Sequence, residues 1–160
     1  MKKTRLSPYD PASSPPLLLG RAVPGMDDRM GRLLWRCALA MRRRFDEALR
    51  PLRLQARHFA MLIVLQQEGV ISQQELAQRS GIDPSTAVAL LDELEKLRLV
   101  ERRQNPVDRR AHQLHLTAAG KKRLNRALSA ATAVDNAMLA PLTLDERRLL
   151  KDLLRKVLSA

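Results

Sequence analysis

Apolar residues recur at helical spacing along most of this chain. Met30, Leu33, Leu34, Cys37, Ala38, Met41, Phe45, Ala48 and Leu49 fall three and four residues apart and predict one long helix. Asp27 and Asp28 suit its start, where backbone N–H groups are unpaired, and Pro51 ends it. A second helix is predicted from about Ala56 to Gln67, with Phe59, Leu62 and Ile63 inside and Gly69 as its stop. Ser72-x-x-Glu75 is a capping box that opens a short helix running to Ser80. Gly81 breaks it, and Asp83-Pro84 starts the next, with Asp as N-cap and Pro at the first helical position. Ala87, Leu90, Leu91, Leu94 and Leu97 make up its buried side. The period then changes. Leu99 to Arg103 and Ala111 to Leu116 read as strands, and Asn105, Pro106 and Asp108 supply the turn of a hairpin with a long tip. Past Thr117 a long helix carries Leu124, Leu128, Ala131, Val134 and Met138, and Pro141 interrupts. Thr143-x-x-Glu146, a second capping box, opens a last helix with Leu150, Leu153, Leu154 and Val157 inward. The fold class is therefore mainly α with a small β-hairpin wing.

Two helices joined by a tight glycine turn and followed by a hairpin make a winged helix-turn-helix, placed here at residues 55–116. The spacing Gln73, Ala77, Gly81 fits it, because the small alanine lets the helices approach and glycine accepts the turn's left-handed backbone. Such a unit offers the N-terminal end of its second helix to the major groove of duplex DNA. With Leu91 and Leu94 inward, the opposite stripe is Ser85, Ala89, Asp92 and Lys96, with Thr86 and Val88 on its shoulders. Ser85 and Thr86 can hydrogen-bond a base edge or a phosphate, and Val88 and Ala89 can touch a thymine methyl. Asp92, Glu93 and Glu95 repel phosphate, so only the first two turns are expected to enter. Ser72 and Gln73, at the start of the preceding helix, join this candidate set. At the hairpin tip, Arg109 or Arg110 can enter the narrow, strongly negative minor groove, oriented by Asp108. Arg102 and Arg103 at the wing's base are phosphate candidates.

The helices on either side, residues 27–54 and 117–160, carry more apolar stripe than one small domain covers, which predicts a homodimer. A two-fold pair sets its reading helices about 34 Å apart, one turn of DNA.

Composition sharpens this picture and limits it. The chain has 160 residues, with 29 Lys and Arg against 17 Asp and Glu, a net charge of +12 that favours a polyanionic partner. Yet residues 55–120 hold eight basic and eight acidic side chains, so the proposed reading head is neutral and the case rests on where charges sit. Tyr9, Trp35, Phe45 and Phe59 are the only aromatic residues, too few for a base-stacking platform on single strands. One cysteine excludes an internal disulfide and any multi-cysteine metal centre, and its place on the first helix's stripe predicts inert packing. His58, His112 and His115 lack partners at metal-ligand spacing, and no catalytic set or phosphate-binding glycine loop is present, so neither an enzyme nor a cofactor is expected. Five of the nine prolines lie in residues 1–26, read as a flexible arm. No apolar run approaches a membrane span, and Leu17 to Leu19 is too short for a signal-peptide core, which predicts a cytoplasmic protein.

From about residue 27 to 160 the sequence resembles a MarR-type transcriptional regulator. The stretch from Leu99 to Gly120 carries that family's pattern, with Leu99-Val100, Asp108-Arg109-Arg110, Leu116-Thr117 and Gly120 in order. Ser72 to Glu95 matches its helix-turn-helix. The resemblance implies a homodimer built on the first and last two helices, a roughly palindromic operator, and repression relieved by a small, often aromatic, acidic ligand. It also gives Arg109 or Arg110 the minor groove, with Asp108 in support. For a ligand lodged between the outer helices and the reading head, Trp35, Arg36, His58 and Met61 offer an aromatic wall, a cation and a polar tip. Three features depart from the family. Val88 and Ala89 stand where many members carry Thr and Arg, which shifts readout toward methyl contacts and DNA shape. Arg98 replaces the glycine before the wing, and the Pro-rich arm has no usual counterpart. The apolar reading face and the neutral head motivate a second reading, in which the winged helix docks an acidic protein partner.

Overall fold

The computed structural model describes residues 28–104 and 112–159, with the backbone alone at His112. The Pro-rich arm and the wing tip with Asp108, Arg109 and Arg110 lie outside the described residues. Six α-helices and three short strands follow in the order α1 (Met30–Leu49), α2 (Ala56–Glu68), β1 (Ile71–Ser72), α3 (Gln73–Ser80), α4 (Pro84–Lys96), β2 (Val100–Gln104), β3 (His112–Leu116), α5 (Ala118–Met138) and α6 (Leu144–Leu158). Among the described residues no helix is long and apolar enough to cross a membrane.

The predicted caps form. Ser72 accepts from the Glu75 N–H while the Glu75 carboxylate takes the Ser72 N–H, and Thr143 and Glu146 repeat the exchange at the head of α6. Asp83 accepts from the N–H groups of both Ser85 and Thr86. α1 begins later than Asp27 and Asp28 suggest: Arg29 is its N-cap, without a side-chain bond, and no acid stands in its first turn.

Three helix ends close by one device. At each, a residue in the left-handed region lets two successive N–H groups turn back onto the last carbonyls. Gly81 does this after α3, at φ 64°. Arg98, at φ 57°, does it after α4, donating to Glu95 O while Leu99 N–H reaches Leu94 O. Arg53, at φ 53°, serves the short 3-10 turn that follows α1. Glycine would hold the Arg98 position with less backbone strain, by about 1 kcal/mol.

The sheet has three strands in the order β1-β3-β2, all antiparallel, one strand more than the hairpin predicted. Ile71 pairs with Leu114, and Val100 with Leu116. β1 escapes pattern reading because it is two residues long and its second residue, Ser72, is also the cap of α3. The core unites the inward stripes of α2, α3 and α4 with Leu99, Val100 and Leu114 of the wing's root and Leu124 and Ala127 of α5. Phe45 of α1 meets Phe59 of α2 edge-on, ring centroids 5.0 Å apart, which joins the first helix to that core.

The outer helices differ from expectation. α6 buries no side chain: Leu150 is half-buried, but Leu153, Leu154 and Val157 face solvent, as do Met30, Leu33 and Leu34 of α1. Cys37 lies on this outward face and is exposed, so the predicted burial is corrected for the single chain. The stripe of α6 and the first half of the α1 stripe have the predicted period and point away from the chain's own core, while Phe45 and Leu49 at the other end of α1 join it.

Candidate nucleic-acid interface

α3 and α4 meet through Ala77, buried at their crossing, and the turn at Gly81. With Ala87, Leu90, Leu91 and Leu94 buried, the opposite side of α4 is left open over its first two turns. Ser85, Val88 and Ala89 are exposed there and Thr86 is half-buried, as the helical wheel predicts. The Ser85 hydroxyl donates to the Asp83 carboxylate at 2.5 Å, leaving its lone pairs free to accept. Those hydrogen bonds from Ser85 and Thr86 hold the Asp83 carboxyl below its usual pKa, so the cap stays ionised. Ser72 is more committed, since its hydroxyl both donates to and accepts from Glu75. Gln73 stands beside it, half-buried, with its carbonyl 3.5 Å from an Arg102 nitrogen.

Strand parity separates the two arginines at the wing's base. Val100 and Arg102 share one face of β2, and Glu101 and Arg103 share the other. Arg103 is therefore on the outer side, where it pairs with Glu101. Arg102 turns inward: one terminal nitrogen lies 2.7 Å from Asp92 and the other contacts Glu95, both on α4. Its backbone N–H also donates to Glu95 at 3.3 Å. Partial burial opposes its charge, but the hydrogen bond to Asp92 and the Glu95 and Asp92 charges outweigh this, and its pKa is raised.

The four residues suggested for a ligand do not share one surface. Met61 is fully enclosed in the core, and Arg36 is exposed on α1 with Trp35 half-buried beside it. A shallow dent lined by Arg53, Glu93, Lys96 and Leu97 includes none of the four. His58 is only 2% exposed. Its Nδ1 accepts the Gln55 N–H at 3.2 Å and completes a capping box for α2 written in Gln and His. Its Nε2 lies 3.2 Å from the Glu93 carboxylate of α4, without the alignment of a hydrogen bond.

Burial lowers the His58 pKa from 6.5 and outweighs the opposing pull of Glu93. As pH falls, the unfolded chain therefore takes up the proton first. The contribution to stability is present above pH 6.5 and is lost as pH falls below it. The urea midpoint is expected to decline between about pH 7 and pH 5, with a shallower decline for His58→Gln. Equal slopes for the two proteins would exclude His58 as the source.

Comparison with known proteins agrees with this geometry. The sequence profile of the MarR family matches residues 54–112, the reading head and the base of its wing. The HTH-type transcriptional repressor Rv2887 of Mycobacterium tuberculosis is 32% identical over 131 residues, covering 82% of this chain and 94% of that protein. Among solved structures, the transcriptional repressor CouR bound to a 23-mer DNA duplex superposes with a TM-score of 0.74 at 31% identity, covering 86% of this chain and 99% of CouR. Rv2887 in complex with salicylic acid superposes with a TM-score of 0.67 at 32% identity, covering 82% of this chain and 97% of that one. Identity above 30% over nearly the full length of a repressor, joined to a profile match across the winged helix, makes this chain a member of the MarR family of transcriptional regulators.

Proposed function

We propose that the protein is a homodimeric repressor that binds a pseudo-palindromic operator in duplex DNA and lets go when a small aromatic acid binds. The observation that carries the DNA reading is the open N-terminal face of α4, where Ser85, Thr86, Val88 and Ala89 stand clear of a packed core. Ser72 and Gln73 flank that face, Arg103 reaches backbone phosphate, and Arg109 or Arg110 enters the minor groove with Asp108 as its support. Dimerisation through residues 27–54 and 117–160 is supported by the uncovered apolar faces of α1 and α6. The salicylic acid complex of Rv2887 supports an aromatic acid as the releasing ligand. Trp35 and Arg36 are the candidates for it on this chain, since His58 and Met61 are enclosed.

The test is duplex binding measured against salt, with DNA recovered by selection on the wild-type protein. Affinity is expected to fall by about 0.9 log units per log unit of salt for each phosphate neutralised. Arg109→Ala with Arg110→Ala is expected to weaken binding at least about tenfold and to flatten that slope, with the dimer's mass unchanged. Unaltered binding by the double variant would remove the wing from the mechanism. A wild-type protein without preference for duplex would favour the docking of an acidic protein partner.

A further inference from the structure

We infer that Arg102 is an internal counter-ion for the reading helix: its single positive charge offsets one of the two negative charges of Asp92 and Glu95 and is shared between them, so that α4 can lie against a phosphate backbone those carboxylates would otherwise repel more strongly. The inference rests on the DNA-binding reading and gives Arg102 a role different from that of a phosphate clamp.

The problem it solves is visible on α4 itself. Asp92 belongs to the same stripe as Ser85 and Ala89, two turns beyond the first and one beyond the second, and Glu95 follows within the next turn. Unpaired, both would oppose the approach of DNA over distances comparable with the Debye length. Glu93, the remaining acid of this stretch, contacts buried His58 on another side of the helix.

Arg102 occupies the place from which both carboxylates are within reach. Its strand parity turns it inward from β2, and its side chain is only 25% exposed. It touches Asp92 at 2.7 Å, Glu95 through the second terminal nitrogen, and the Gln73 carbonyl at 3.5 Å. An arginine fork can span two carboxylates in this way, whereas a lysine presents one compact charge. A guanidinium so engaged has little left to offer a phosphate. The same contacts tie the root of the wing to α3 and α4, so the acidic charge is halved without freeing either element.

Neutralising the cluster stepwise tests this. Arg102→Gln is expected to weaken duplex binding roughly tenfold, because two carboxylates lose their partner. Adding Asp92→Asn and Glu95→Gln to that variant is expected to restore affinity to within about threefold of wild type, with the wild-type salt slope. A phosphate clamp predicts the opposite: the triple variant stays as weak as Arg102→Gln, and its slope falls by about 0.9 for each phosphate no longer neutralised. That result would overturn the inference, as would full binding by Arg102→Gln alone. Should Arg102→Gln fail to fold by circular dichroism, Asp92→Asn with Glu95→Gln decides the matter. It is expected to bind at least as tightly as wild type, and a loss beyond about threefold would overturn the inference. A wild-type protein that recovers no duplex at all would sink the DNA-binding reading instead, and the two failures are thereby distinct.

Discussion

Gly120→Ala is expected to cost about 3 kcal/mol or more of folding stability. A Cβ at this position would lie 2.1 Å from the Leu99 carbonyl oxygen and 2.7 Å from Leu116 Cδ1. The side chain could turn aside, but the backbone oxygen cannot. Leu99 O accepts the Thr117 N–H at 3.0 Å and shares the Thr117 hydroxyl at 3.1 Å, and that hydroxyl in turn caps the Gly120 N–H at 2.9 Å. Relief of the clash therefore requires breaking the cap of α5 or lifting Leu99 out of the core. Urea unfolding checks it: the midpoint should fall sharply, and an unchanged midpoint would mean that α5 can shift away from the wing without loss.

If the proposed dimer forms through α6, Leu149→Glu combined with Leu153→Glu is expected to turn it into a monomer and to lower operator affinity by about 100-fold or more, as two-site engagement becomes one-site binding. Both leucines are exposed in the single chain, at 60% and 53%, so nothing in the reading head depends on them. α6 has 15 residues and buries no side chain, and a helix of that length is marginal in water by itself. In the proposed dimer, its formation is coupled to the partner. The variant should lose helical signal in proportion to α6 while the rest of the chain still unfolds cooperatively. Sedimentation equilibrium reads the mass directly. A variant that keeps the wild-type mass would move the interface elsewhere.

Much of the architecture was legible in the sequence because short-range chemistry writes it. Ser72, Asp83 and Thr143 each announce a helix start through the residues that follow, and all three cap as the pattern demands, while the Thr117 cap of α5 has no such signature after it. What pattern reading missed depends on partners far along the chain or on unusual residue types. The Gln55 and His58 cap performs the familiar exchange with residues that the usual signature omits. The Arg102 cluster joins residues 7, 10 and 29 positions apart, which no local window contains. One part of it was readable: alternation along β2 already distinguishes Arg102 from Arg103, since Val100 fixes which face is inward. For the α1 and α6 stripes, the excess of apolar surface was readable and pointed beyond the single chain, but periodicity alone does not say which of their residues meet the chain's own core, and it sets Leu153, Leu154 and Val157 inward where they face solvent.

The passage from β3 to α5 is a single residue, Thr117, bonded on both sides to the end of the α4 turn through the Arg98 and Leu99 carbonyls. Such a weld has no slack to absorb torsion. α5 extends about 30 Å from it, so a small tilt imposed at the far end of that shaft swings the strands at the near end as one piece. In the proposed dimer, a molecule wedged among the outer helices would accordingly act by changing the stride between two feet, with neither foot needing to loosen.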